Sequence, residues 1–250
     1  RKGMGKTKNG RRFAATYALF AALIALWTWR VQFSSRVDLH SCDFARKHLD
    51  LPCEEHMAAT KDGYLLTLKR LSNPGKPPVL LAPSILRDSA SFLMAGRNQS
   101  LAGVLFDSQF DVWLLDYRGR APWRHDRYSG QDMEFWDFSF DELVGLDIPE
   151  MVDFVRRFTH QNIASLIGFA EGSTFALAAV AEHAQTASHV QSIVALAPMV
   201  GSSGTRKSWI VNPFDVIVRN LHPGIFWGSV KFAMAHWCAL VPGLCVRAIC

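Results

Sequence analysis

The sequence predicts an α/β fold, in which a mostly parallel β-sheet is flanked by helices. Apolar runs of strand length alternate along the chain with segments of helical pattern, which is typical of this class. A glycine-bounded turn over residues 167–172 joins a buried run to a segment rich in small residues, as a turn from strand to helix requires. Hydrophobic residues make up 49% of the 250 positions, which is ample for the core of one domain.

The first half of the chain contains four predicted strands. A short helix or linker is expected at 37–48, and two strands at 55–60 and 64–71 flank a turn at 61–63. A loop rich in proline and glycine at 73–78 precedes a buried strand at 79–82. A helix at 100–108 then leads to a strand at 111–115. In the segment that follows, Asp116 and Arg118 are interpreted as a local structural pair and not as catalytic groups.

The second half alternates helices and strands after a long polar and aromatic connection at 117–136. A helix is expected at 143–159, where Pro149 lies close enough to the first turn to be tolerated. A strand at 162–167, a helix at 171–182 and a strand at 192–197 complete the predicted sheet.

The turn between the last predicted helix and its preceding strand has the outline of G-x-S-x-G, the turn that presents a catalytic serine. It reads Gly168, Phe169, Ala170, Glu171, Gly172, with alanine where the serine would stand. The methyl group of Ala170 has no lone pair with which to attack a carbonyl carbon. The spacing alone fits an ordinary strand-to-helix turn equally well.

Other segments support the first interpretation, because they resemble the acid lipase family, which includes the lysosomal and gastric lipases. The matching segments occur in family order between residues 51 and 200, at 51–56, 61–66, 110–114, 118–119, 134–142, 147–149 and 195–198. The run at 135–142 is the most specific. The resemblance implies a partial α/β-hydrolase fold, truncated at its C-terminal side, over residues 51–200. It also implies that residues 201–250 are a cap-like aromatic segment.

The resemblance also shows departures at the expected catalytic centre. Pro83, Ser84 and Ile85 stand where the family carries His-Gly at the oxyanion loop, and proline has no backbone N–H to donate. Ser173 and Ser165 lie in the neighbouring helix and strand, and neither is expected to replace the missing hydroxyl of Ala170. The strands that carry the family's acid and histidine are missing, and His222 and His236 are interpreted as structural. We therefore expect no catalytic residues, a pseudo-hydrolase and no enzyme activity.

Basic residues are concentrated at the N-terminus. Residues 1–12 hold six of the 27 lysines and arginines, so the net charge of +5 reflects a local tail and nucleic acid is excluded as a partner. Residues 13–30 are almost wholly apolar and end in two tryptophans, which predicts a transmembrane helix followed by a linker at 31–50. A cleaved signal peptide and an amphipathic surface helix are the alternatives for this segment.

The five cysteines do not define a disulfide framework, because their number is odd and their spacing is wide. The family resemblance makes a Cys238–Cys245 bridge conceivable. His40, Cys42, His48, Cys53 and His56 fit no standard zinc spacing, so neither a metal nor a cofactor is predicted. Asn98 begins an Asn-Gln-Ser glycosylation sequence, which matters only in a secretory compartment.

These observations predict a membrane-anchored structural protein, an accessory subunit of a larger membrane complex. The mitochondrial respiratory chain and ATP synthase are candidate complexes. The expected partners are other subunits of that complex, with membrane lipids contacting residues 13–30. The mitochondrial inner membrane is favoured by the basic N-terminus, with an endoplasmic reticulum or secretory membrane as the alternative. A lipid-binding pseudoenzyme and one part of a split lipid-ester hydrolase are the alternative functions.

Overall fold

The structure, a computed structural model, describes residues 42–84, 87–120 and 122–199. Within these ranges no helix is long and apolar enough to cross a membrane. The predicted basic tail 1–12, transmembrane helix 13–30 and aromatic segment 201–250 all lie outside them, as do most of the linker and the cysteines near the C-terminus. Those predictions therefore stay predictions.

A six-stranded sheet forms the centre of the described fold, in the order β1-β2-β4-β3-β5-β6. Strands β3 to β6 are parallel to one another, whereas β1 pairs antiparallel with β2 and β2 pairs antiparallel with β4. The strands are β1 (Cys53–Ala59), β2 (Leu65–Leu71), β3 (Pro78–Ala82), β4 (Asp111–Asp116), β5 (Ser165–Phe169) and β6 (Ile193–Leu196). The α/β class is confirmed.

Helices cover both faces of the sheet, because alternate residues of the central strands point to opposite sides. Leu80 and Trp113 pack in one core cluster, and Leu81 and Leu114 pack in the other. The α-helices are α1 (Cys42–His48), α2 (Leu101–Asp107), α3 (Phe140–Glu142), α4 (Ile148–Thr159), α5 (Glu171–Glu182) and α6 (Ala184–His189). Two 3₁₀ turns, Ser89–Phe92 and Glu134–Trp136, complete the described elements.

The helix predicted at 143–159 is longer and less regular than expected. It begins at α3, where Ser139 and Glu142 form a capping box, and it passes through a π-helical stretch, Leu143–Asp147, before α4. Pro149 lies in the first turn of α4, as predicted, and His160 ends the helix in a left-handed conformation. The π-helical stretch gives Asp147 a position from which it reaches Arg118.

Two cysteines are joined, which the sequence did not predict. A disulfide links Cys42 in α1 to Cys53 at the start of β1, and both residues are buried. The bridge also removes these two sulfur atoms from the set considered for zinc. Among the described residues no group of three histidine, cysteine or acidic side chains is arranged to hold a metal.

Candidate functional site

The predicted turn at Ala170 has the geometry of a nucleophile elbow. Strand β5 ends at Phe169 and α5 begins at Glu171, so Ala170 alone makes the turn. Its backbone angles, φ 52° and ψ −118°, are strained for a residue that carries a Cβ atom. The Ala170 amide donates to the carbonyl of Leu196, at 2.9 Å, which ties the apex to β6. This strained turn from strand to helix is the feature that presents a side chain in α/β-hydrolases.

Close packing on both sides of the apex explains its two glycines. A Cβ atom on Gly168 would lie 2.3 Å from the Cα of Ser173, which is far inside van der Waals contact. A Cβ atom on Gly172 would lie 2.3 Å from the carbonyl oxygen of Ala82 in β3. Both contacts are with backbone atoms, which cannot rotate away. The interpretation of this turn as an elbow, and not as an ordinary turn, therefore has a geometric basis.

The two neighbouring serines have structural surroundings. Ser173 is fully buried, and its hydroxyl donates to the carbonyls of Gly168 and Leu196, at 2.7 and 3.1 Å. Ser165 begins β5, and its buried Oγ has no hydrogen-bond partner among the described residues. Neither hydroxyl lies at the apex, which agrees with the sequence-based expectation.

The segment at the end of β3 makes contacts that the sequence did not predict. The Ser84 hydroxyl donates to Oε2 of Glu171 at 2.6 Å, across 87 positions of sequence. Arg120 donates to the backbone carbonyl of Ser84 at 2.6 Å, and the Tyr117 hydroxyl donates to the carbonyl of Pro83 at 3.0 Å. Ile85, the third residue of the predicted oxyanion loop, lies outside the described residues. The loop is therefore ordered around Ser84 by three hydrogen bonds.

The groups that hold this loop are themselves deeply buried. Burial raises the pKa of the Tyr117 hydroxyl well above its ordinary value, and it lowers the pKa of the Arg120 guanidinium. The charge of Arg120 is partly compensated by Asp116 and Glu171, which lie close enough to favour its charged form. The positive charge of Arg120 therefore lies beside the end of β3.

A second group of charged residues, here named the Arg118 cluster, comprises Asp62, Arg118 and Asp147. The guanidinium of Arg118 contacts Asp62 at 2.7 Å and Asp147 at 2.8 Å, and it stacks 4.1 Å above the Tyr64 ring. Burial raises the pKa of Asp147 to about 6, although its hydrogen bonds from Arg118 oppose the shift. Burial also acts to raise the pKa of Asp62, but hydrogen bonds from Arg118 and Thr60 outweigh it and lower that pKa.

Asp116 is likewise engaged by structural partners. Its carboxylate accepts hydrogen bonds from Lys69, at 2.8 Å, and from the hydroxyl and amide of Ser89, at 2.6 and 2.8 Å. All three residues are buried. The predicted pair of Asp116 with Arg118 is not formed, because Arg118 contacts Asp62 and Asp147 and Asp116 contacts Lys69 and Ser89.

Comparison with known proteins finds similarity to lipases of the α/β-hydrolase type. A family model described as a partial alpha/beta-hydrolase lipase region matches residues 44–96. Human gastric triacylglycerol lipase is 32% identical over 190 residues, which cover 72% of this chain and 47% of that lipase. The lysosomal acid lipase/cholesteryl ester hydrolase of Macaca fascicularis is 35% identical over 159 residues, covering 60% of this chain and 40% of the relative. The chain thus spans less than half the length of these relatives.

Among solved structures, an esterase from Pyrococcus furiosus is similar, with a TM-score of 0.46 and 19% identity. The match covers 61% of this chain and 53% of that esterase. None of the relatives named here is described as a subunit of a membrane complex or as mitochondrial. Those two assignments stay predictions.

One expectation from the sequence is wrong. We expected the chain not to be an enzyme, but the relatives it matches are named as a triacylglycerol lipase and a cholesteryl ester hydrolase. The missing oxygen of Ala170 shows that the apex is not the nucleophile, and it says nothing about other hydroxyl groups at the same site. The Ser84–Glu171 contact, invisible in the sequence, places such a hydroxyl next to the elbow. With that correction, the comparisons confirm the predicted resemblance to the acid lipase-like α/β-hydrolases.

Proposed function

We propose that the protein hydrolyses carboxylic esters of lipids and binds the ester group at the elbow. The observation that carries the proposal is the backbone of Ala170, which keeps a strained, positive-φ turn although alanine gains nothing from it locally. A turn of this cost persists where the surrounding structure enforces it, and such turns cluster at active sites. The names of the matched relatives support lipids as the substrate class.

The start of α5 supplies the electrostatics that this reaction needs. The amide that follows the apex belongs to Glu171, and this position forms half of the oxyanion hole in α/β-hydrolases. The positive end of the helix dipole at the same point favours the negative charge that develops on the carbonyl oxygen.

Ester hydrolysis by the purified full-length protein tests the proposal. The substrates are a soluble p-nitrophenyl ester and an emulsified long-chain triacylglycerol, compared with Ala170→Ser and with Ala181→Ser as a matched change elsewhere on α5. We expect the wild type to cleave both esters and Ala181→Ser to match it, whereas Ala170→Ser should be slower, because its added hydroxyl lies at the apex where the ester group binds. If the folded wild type cleaves neither ester, the proposal fails.

We further propose that the protein works in an oxidising compartment of the secretory pathway and not at the mitochondrial inner membrane. The supporting observation is the Cys42–Cys53 disulfide, since such bridges persist mainly in secreted, lumenal or surface proteins. Asn98 is exposed in a turn immediately before α2, where a glycan would meet solvent. The predicted anchor at 13–30 would then leave its basic end in the cytosol.

Endoglycosidase treatment of the protein from its native membrane tests the compartment. We expect a faster-migrating band after treatment, the same shift in Asn98→Gln without treatment, and no shift in Asn162→Gln, an exposed asparagine outside any glycosylation sequence. Recovery of an unglycosylated protein in purified mitochondria would contradict this assignment.

A further inference from the structure

A serine that stands in the altered oxyanion loop contacts the residue that follows the elbow apex. Ser84 stands in the oxyanion loop, and Glu171 follows the elbow apex. Their side chains share a hydrogen bond of 2.6 Å. We propose, on the basis of the proposed function, that Ser84 is the nucleophile of this ester hydrolase and that Glu171 is its general base. The hydroxyl missing from the apex is thus supplied by the neighbouring loop.

The Ser84 hydroxyl is held in place by its surroundings. Ser84 is 8% exposed, and its backbone is fixed by the hydrogen bond from Arg120 to its carbonyl. The preceding carbonyl, of Pro83, is fixed by Tyr117. These two hydrogen bonds hold the backbone, and the third holds the hydroxyl beside the carboxylate at the start of α5. A nucleophile held in one geometry loses little freedom on reaching the transition state.

The carboxylate of Glu171 differs from the others that lie next to a hydroxyl. Asp116, which accepts from Ser89, also accepts a hydrogen bond from Lys69. Asp62, which accepts from Thr60, also accepts from Arg118. Asp132 and Glu142 accept both the hydroxyl and the backbone amide of the serine that they cap. Glu171, in the described part of the chain, accepts from Ser84 alone. Its remaining lone pairs leave it free to take a proton.

The proposed reaction balances in two steps. Ser84 Oγ bonds to the acyl carbon while its proton passes to Glu171, and the protonated Glu171 then gives that proton to the departing alcohol oxygen as the ester C–O bond breaks. Water attacks the resulting acyl-serine, with Glu171 accepting its proton and returning it to Ser84 Oγ. The products are a fatty acid and an alcohol, and both residues return to their starting states.

The charges at the site favour the first step. Glu171 becomes neutral as the tetrahedral oxyanion forms, so the site holds one negative charge throughout and never two. The buried guanidinium of Arg120, which lies close enough to Glu171 for their charges to interact, stabilises that single charge at either position. The start of α5 contributes in the same sense.

Rates of ester hydrolysis by variants of the full-length protein test the assignment. Ser84→Ala removes the nucleophile, and we expect kcat to fall at least about 1,000-fold. Glu171→Gln keeps a side chain of the same shape that hydrogen-bonds Ser84 but accepts no proton. We expect kcat to fall about 100-fold or more with KM unchanged. A merely structural role for Glu171 would leave kcat close to the wild-type value.

Matched controls use residues of the same type away from the pair. Ser165→Ala removes a β5 hydroxyl that has no hydrogen-bond partner among the described residues. Glu182→Gln changes an exposed carboxylate at the other end of α5. Both should keep the wild-type rate. Near-UV circular dichroism confirms that each variant is folded.

The outcomes separate this inference from the proposed function. Hydrolysis that survives Ser84→Ala overturns the inference and leaves the function standing. Glu171→Gln with the wild-type kcat also overturns the inference and leaves the function standing. If the folded wild type cleaves no ester, the proposed function itself fails.

Discussion

The elbow, which follows β5, and the Arg118 cluster, whose arginine lies just after β4, depend on different properties of their residues. At the elbow the backbone shape is kept by the close contacts of Gly168 and Gly172, whatever side chain stands at the apex. In the Arg118 cluster the side chains carry the interaction, because Arg118 forms ion pairs with both Asp62 and Asp147. The backbone geometry of an elbow can therefore persist without a serine at its apex. A group of buried charged residues can stabilise the fold without a catalytic role.

Adding a methyl group at the tightly packed elbow should have the largest effect on stability. Gly172→Ala places a Cβ atom against two backbone carbonyls of the β3 end, which cannot move apart without displacing the strand. We expect the free energy of unfolding to fall by about 3 kcal/mol or more, measured by urea denaturation. Gly75→Ala has open space and a positive φ, so it should cost only about 1 kcal/mol. Equal costs at both positions would show that the elbow is not tightly packed.

Breaking the Arg118 cluster should have a similar but somewhat smaller effect. Arg118→Met leaves Asp147 buried without its partner, and we expect a loss of about 3 kcal/mol in the same measurement. Arg157→Met removes an exposed arginine that pairs with Glu150 and Asp153, and it should cost less than about 1 kcal/mol. If Arg118→Met leaves the free energy of unfolding unchanged, the cluster does not stabilise the fold.

The disulfide tests whether the outer end of the sheet depends on a covalent link. The double variant Cys42→Ser, Cys53→Ser opens a loop with a sequence separation of 11 residues, and we expect a loss of about 2–3 kcal/mol. Mass spectrometry after alkylation should find no free thiol at either position in the wild type. Quantitative alkylation of both cysteines in protein isolated from its natural source without a reducing agent would contradict the bridge.

The pH dependence of stability should be the smallest effect. The pKa of Asp147 is about 6 in the folded protein and about 4 in an unfolded chain. The folded protein therefore holds a proton that the unfolded chain releases between these values. Since stability falls with pH wherever the folded state binds more protons, the free energy of unfolding should decrease by about 1–3 kcal/mol from pH 4.5 to 6.5.

Two comparisons sharpen this prediction. Asp147→Asn carries no titrating group at this position, and it should flatten the dependence over the same range. The lowered pKa of Asp62 acts in the opposite direction, because its contribution is present above the unfolded pKa and is lost at lower pH. The same pH dependence in the wild type and in Asp147→Asn would contradict the prediction, because Asp147 would then contribute nothing to it.

The sequence predicted the strands, the elbow and its glycines, because each depends on a short local pattern. The sequence did not predict the capping box of Ser139 and Glu142, which starts the helix earlier than expected. It also did not predict the π-helical stretch that follows. The Ser84–Glu171 pair could not be predicted, since the sequence separates its members by 87 positions and only the pairing of β3 with β5 brings them together. The partners of Arg118 are also distant in sequence, at separations of 56 and 29 positions, and the pairing of β2 with β4 helps to bring Asp62 to Arg118.

The most direct test of the account is to trap the nucleophile. The full-length protein is treated with a lipid-like fluorophosphonate, digested, and mapped by mass spectrometry, with Ser84→Ala and Glu171→Gln treated in parallel. The account predicts one phosphonylated residue, Ser84, whose labelling disappears in the first variant and slows strongly in the second. Labelling at another serine, or none in a protein that still hydrolyses esters, would contradict it.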